Sequence, residues 1–134
     1  MENKDLAHIF SEMADILEIQ DSNPFRIRSF RKVAQIIENL SFSVTHSVRD
    51  NPQELQEIPG IGAGAIRRIQ EIVQTRHSQE HEDLRNQVPP SLLALLELQN
   101  LGPKKISLFW KSLNITTIDE LEKAAREQRL RHLP

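Results

Sequence analysis

Three of the chain's four glycines, Gly60, Gly62 and Gly64, occupy alternate positions in the run IPGIGAGAIRRI. A glycine at the first position lets a turn pass through positive φ, where a side chain is disfavoured. The apolar residue after it, Ile61, can fold back and plug the flanking segments together. The second glycine removes a side chain where the backbone must come close to a ligand. Amides at the start of the next helix then point outward without an intrahelical acceptor. With the helix dipole behind them they form an anion site, and a DNA backbone phosphate suits such a site. Contacts of this kind position a protein on DNA without reading its bases.

The arrangement recurs. Laying LQEIPGIGAGAIRRI over LLELQNLGPKKISLF places Ile58 on Leu98, Gly60 on Asn100, Ile61 on Leu101 and Gly62 on Gly102. Asn100 stands where the first glycine would be, and asparagine is the side chain that best tolerates left-handed φ. Two basic residues follow each turn, Arg67 and Arg68 in the first copy and Lys104 and Lys105 in the second. Short helix, tight turn and longer helix, twice over, is the pattern of two helix-hairpin-helix motifs, with Gly102, Lys104 and Lys105 as the second phosphate contact. The plainer alternative is a pair of glycine-rich corners that serve packing alone.

The elements that must position these turns are helical. Leu6, Ile9, Phe10, Met13, Ile16 and Leu17 form one stripe with Asn3 as the expected cap, and Asp5, Glu12, Asp15 and Glu18 take the opposite, solvated face. A second helix is expected from Pro24 with Ile27, Phe30, Val33, Ala34 and Ile37 inward. Residues 41–51 read as loop with a helical turn, Asn51-Pro52 as a further start, and Ile66, Ile69, Ile72 and Val73 as a helix to about Arg76. Residues 77–87 read as a polar linker, followed by short helical patterns from Leu92 to Leu98 and from Pro103 to Leu113, and by a Thr-capped amphipathic helix. The expected fold is an all-α helical bundle with two hairpins, divided into units 1–87 and 88–134.

Net charge is only −2, but it is segregated. Residues 24–76 and 102–134 each carry a net +3, and these segments contain the two turns, whereas residues 1–23 carry −5. Such blocks are an electrostatic footprint for an anionic partner, although helical proteins also carry them on solvated faces. No cysteine is present, which excludes disulfides and thiolate zinc sites and fits a reducing cytoplasm. No apolar run reaches membrane-spanning length, and MENKDLAHIF lacks the build of a signal peptide, so no membrane partner is expected.

Three further signals have plainer readings beside the functional one. His77 and His81 in HSQEH have the spacing of an inverted zinc-protease helix, but that chemistry needs a third ligand and an apolar setting, and exposed surface histidines are the ordinary case. Trp110 falls at helical spacing from Ile106 and Leu113 and belongs to a core. Arg26, Arg28, Arg31 and Lys32 are either a phosphate-facing set or a solvated helix face.

NPFRIRSFRKVAQIIENL, IPGIGAGAIRRIQEI and LGPKKISLFWKSLNITTIDELEKAAREQRLRHLP together resemble the amino-terminal part of a bacterial X-family DNA polymerase, a family similar to DNA polymerase beta. The resemblance spans the chain and stops at HLP, before any palm domain with metal-binding aspartates. The segment is then expected to be either part of a longer chain with further polymerase domains or a short relative, and not to polymerise DNA by itself. The resemblance implies a first hairpin that holds the 5′-phosphate side of a gapped or nicked DNA through Gly60, Gly62, Gly64, Ala65, Arg26, Arg68 and Lys32. Phe25 and Phe30 stand where the vertebrate relative has a histidine and a tyrosine, so stacking or packing is kept and hydrogen bonding lost. It also implies a monovalent cation, Na+ or K+, at the carbonyls of Gln56, Ile58 and Ile61 and at those of Leu96, Leu98 and Leu101.

The expected function is therefore non-sequence-specific DNA binding in gap repair, in the bacterial cytoplasm and at its nucleoid, with no cofactor required for binding. Two other classes remain. One is a lyase at abasic or 5′-deoxyribose-phosphate sites, working through a lysine Schiff base. Lyase-competent relatives have a lysine eight residues after the first hairpin glycine; Arg68 holds that place here, leaving Lys32 as the substitute. The other is a protein-interaction module.

Overall fold

Helix α1, Asn3–Ile19, buries the stripe its periodicity marks: Leu6, Phe10, Met13, Ile16 and Leu17 are enclosed, with Ile9 at the edge. The structure, a computed structural model, describes residues 1–98 and 101–127. Helix α2, Pro24–Asn39, is capped by Asn23, whose Oδ1 accepts the Phe25 amide at 2.8 Å, and Pro24 fills the first turn, where an amide would lack a partner. Phe30, Val33, Ala34 and Ile37 turn toward α1, and the Phe10 and Phe30 rings meet at 6.1 Å with a 43° tilt.

The chain continues through α3 (Val44–Asp50), a 3-10 helix (Pro52–Glu57), α4 (Ala63–Thr75), α5 (Gln79–Asn86), α6 (Pro90–Leu96), α7 (Pro103–Leu113) and α8 (Ile118–Arg126). Among the described residues there is no strand, and no helix is long and apolar enough to cross a membrane. The fold is an all-α bundle. One buried cluster joins α1 and α2 to Leu55, Ile69 and Ile72, and reaches Leu92, Leu95 and Ile106. Each such side chain contributes about 1.5–3 kcal/mol relative to exposure. Trp110 packs against this cluster, partly buried.

Four local expectations are corrected. The residue before α1 is Glu2, whose amide donates to Asp5 Oδ2 at 3.2 Å; Asn3 is already helical. The Asn3 side chain instead ties down the α2–α3 connection, donating to the Phe42 carbonyl at 2.8 Å and accepting the Val44 amide at 2.9 Å. Residues 44–50 are a full helix, because Ser43 caps it and Val44 and Val48 reach the core. The supposed linker holds α5, capped by Ser78 with Glu80 and Glu82 in its first turn and Arg85 in its last.

The fourth correction concerns the acidic face of α1, which is largely covered. Arg31 donates to Asp15 and Glu18, each at 2.9 Å, and Glu12 meets Arg85 and His81 of α5. His81 is consequently no ordinary surface histidine; its side chain is 18% exposed. Asp15 shows that burial outweighs its partner: desolvation pushes its carboxyl above the usual value despite Arg31. At Arg31 burial works against the charge, yet the hydrogen bonds to Glu18 and Asp15 prevail and hold its pKa up.

Candidate nucleic-acid interface

Gly60 has φ +87°, in the region that favours glycine. A Cβ there would stand 2.7 Å from Ile36 Cδ1 and 3.3 Å from Lys32 Cε, side-chain ends that would have to shift, so it is the backbone that requires glycine. Ile61 is buried behind the turn, and its amide donates to the Ile58 carbonyl at 3.2 Å. Gly62 is different. Its φ of −89° and ψ of 177° are open to any residue, and a Cβ would meet nothing within 4 Å. The position needs no glycine for its own backbone; what glycine leaves there is open space in front of the helix start.

The described residues flanking the second turn make the same hydrogen bonds as those of the first. Leu101 donates to the Leu98 carbonyl at 3.3 Å, and Ile106 to the Gly102 carbonyl at 3.1 Å, as Ile66 does to Gly62 at 3.0 Å. Gly102 has φ −91° and ψ 168°, with open space about it. Both following helices end on a left-handed residue, Arg76 at φ 58° and Asn114 at φ 52°. The expectation for Asn100 lies outside the described residues.

Neither Gly62 nor Gly102 offers a side-chain cap, so the first-turn amides keep no partner from that source. In α4 these are Ala63, Gly64 and Ala65; in α7, Pro103 has no N–H, and Lys104 and Lys105 remain. Helices α1, α5 and α8 carry acids in their first turns; α4 and α7, like α2, α3 and α6, carry none. An acid there would favour the helix dipole but repel an anion. Lys104 and Lys105 are exposed at the start of α7, where their charge opposes the helix dipole.

A cleft of about 230 Å³ opens between α2 and the first turn, walled by Arg26, Ser29 and Phe30 on one side and by Gly60, Gly62, Gly64, Ala65 and Arg68 on the other. Phe30 forms its floor. The guanidinium carbons of Arg68 and Arg26 lie 5.0 and 5.6 Å from its ring centroid. Lys32 lies across Gly60, its Nζ 3.7 Å from a Cβ placed there. Phe25 projects at the start of α2, 72% exposed, with the Arg28 guanidinium 4.7 Å from its centroid.

The structure thus gathers Arg26, Lys32, Arg68 and the three glycines at one turn. Arg31, in the same basic run, faces Asp15 and Glu18 instead. Lys104 lies elsewhere, beside a groove of about 450 Å³ shared with Glu18, Asp21 and Lys111.

Sequence reasoning missed Glu80. Its carboxylate accepts from Arg68 Nε at 3.0 Å and Nη2 at 3.3 Å, and stands 3.8 Å from Arg26 Nη2. The available signal was Ser78 followed by two acids, a helix start inside the supposed linker. No cluster of His, Cys, Asp and Glu able to hold a metal occurs among the described residues.

Residues 1–78 match the helix-hairpin-helix domain family. The chain is also similar to the DNA polymerase/3′-5′ exonuclease PolX of Bacillus subtilis (strain 168), with 30% identity over 133 residues. That match covers 99% of this chain and 22% of the relative, so the chain spans about a fifth of the protein it matches. The resemblance to an X-family polymerase is borne out by this match, and in the first turn Gly60 has the expected positive φ and Ile61 the expected burial. The chain belongs to the helix-hairpin-helix domain family.

Proposed function

We propose that the chain binds DNA through backbone phosphates, as the amino-terminal part of an X-family DNA polymerase acting on gapped or nicked DNA. One observation carries this reading: the orphan amides of the first turn and the guanidiniums of Arg26 and Arg68 border the same cleft. A 5′-terminal phosphate bears more charge than a diester and offers three acceptor oxygens to such a set. The second turn, with Lys104 and Lys105, would hold another stretch of backbone, and exposed Phe25 would stack on an unpaired base. The polymerase relative supports the partner class. Nothing in this reading requires base-specific contact.

Under the same reading the carbonyls of Gln56, Ile58 and Ile61, and those of Leu96, Leu98 and Leu101, would hold a monovalent cation. Ile58 and Leu98 each accept one amide, which leaves a second lone pair.

The test is the affinity for a one-nucleotide gap with and without its 5′-phosphate. The phosphate should tighten binding by about tenfold, as charge-assisted hydrogen bonds of about 1.5–3 kcal/mol imply. Equal affinity for the two substrates would reject the assignment of the cleft.

A further inference from the structure

The third glycine of the run has a role that leads outside the turn. A Cβ on Gly64 would stand 3.3 Å from Arg68 Nη1, so this guanidinium lies over the turn backbone. Its orientation is fixed from the far side. Glu80 Oε1 accepts from Nε and Glu80 Oε2 from Nη2, which occupies one two-donor edge of the planar group. The remaining edge, Nη1 with the outer N–H of Nη2, has no acceptor among the described residues. Arg26 meets the same carboxylate, so two like charges are held side by side against Phe30.

Glu80 is itself anchored. Ser78 caps α5, its Oγ accepting the His81 amide at 3.2 Å, and His81 and Arg85 join Glu12 of α1. The carboxylate is therefore presented by a helix docked independently of any ligand.

We infer that Glu80 is a positioning residue for the phosphate site: it grips Arg68 side-on, so that the Nη1 edge is held over Gly64 for a terminal phosphate monoester. The inference rests on the phosphate reading of the cleft proposed above. A free arginine side chain would have to lose its rotamer freedom on binding, and the carboxylate removes that cost beforehand. The opposite role, a carboxylate that occupies the phosphate's place and must leave, predicts the opposite sign.

The experiment measures binding of the 134-residue chain to a one-nucleotide-gap duplex with and without the 5′-phosphate, and takes the ratio of the two affinities. Glu80→Ala should lower that ratio by about fivefold or more, in the range of coupling between side chains in direct contact. Taking the ratio cancels the general gain in DNA affinity that loss of an acid beside two arginines brings to both duplexes. Glu80→Gln, which keeps one acceptor for Nε, should fall between the parent and Glu80→Ala. In an Arg68→Ala background Glu80→Ala should have no further effect on the ratio.

A ratio unchanged or raised in Glu80→Ala or Glu80→Gln would overturn the inference. If Arg68→Ala lowers the ratio while Glu80→Ala leaves it intact, only the role of Glu80 is lost. If the parent does not discriminate, or Arg68→Ala discriminates as well as the parent, the phosphate reading fails and the inference falls with it.

Discussion

The Arg68 guanidinium stands 5.0 Å from the centroid of Phe30, a ring that is 4% exposed and rests on Phe10. A cation of the surface is thereby seated on the hydrophobic core, and the floor of the cleft is continuous with the α1–α2 interface. Phe30→Leu keeps an apolar side chain but removes the ring face. It should lower stability by about 1 kcal/mol and reduce the preference for a 5′-phosphate, read by thermal melting and by binding. An unaltered preference would mean that the ring does not help seat the arginine.

Gly60 and Gly62 should respond in opposite ways. Gly60→Ala places a Cβ 2.7 Å from Ile36 Cδ1 at φ +87°, and should destabilise the fold by about 2 kcal/mol. Gly62→Val enters open space at an ordinary extended φ, so the chain should stay folded while binding falls. Lys123→Ala, on α8, is the control that should do little. Denaturation curves and gapped-DNA titrations separate the two effects. Binding by Gly62→Val at the parent's level would count against backbone approach at this turn.

How far the sequence reveals this arrangement depends on where each interaction is encoded. The turns are local: positive φ at Gly60 and the plug at Ile61 are set by neighbours in the chain, and the composition shows them. Helix α5 is not local. Leu84 is its only buried residue, so it has no apolar period, and ion pairs to Glu12 across the fold help hold it. Glu80 was hidden for the same reason, since its partners lie on α2 and α4. The separation of Arg31 from Arg26 and Lys32 was likewise invisible, because it depends on the way α1 faces α2.

The contact between α1 and α5 should titrate. The hydrogen bond from His81, with the charge of Arg85, holds the Glu12 carboxyl below its ordinary 4.5, against the upward push of burial. A carboxyl whose pKa is lowered by folding contributes stability above its unfolded value and loses it as pH falls through the folded value. Glu12→Gln should therefore cost about 1–2 kcal/mol at neutral pH. The difference from the parent should shrink as pH falls below 4.5. Urea denaturation across that range checks it. A gap independent of pH would remove the ion-pair account.

Lyase activity should be weak or absent. Arg68 occupies the place where the family resemblance implies a Schiff-base lysine, and a guanidinium remains protonated and is a poor nucleophile. The substitution retains a phosphate grip while removing the reaction. Borohydride trapping on an oligonucleotide bearing a 5′-deoxyribose-phosphate, with Arg68→Lys and Lys32→Ala alongside, is the check. Efficient trapping by the parent that disappears in Lys32→Ala would identify Lys32, which lies across Gly60, as the nucleophile.

The central claim is that the glycine turns hold DNA by its phosphates, and the salt dependence of binding tests it most directly. Neutralising phosphates releases counterions, so log affinity should fall linearly with log salt, with a slope of about −0.9 per duplex phosphate contacted. The account predicts a slope corresponding to several phosphates, shared by duplexes of unrelated sequence and reduced in Gly62→Val. Affinity that ignores salt, or that depends strongly on base sequence, would contradict it.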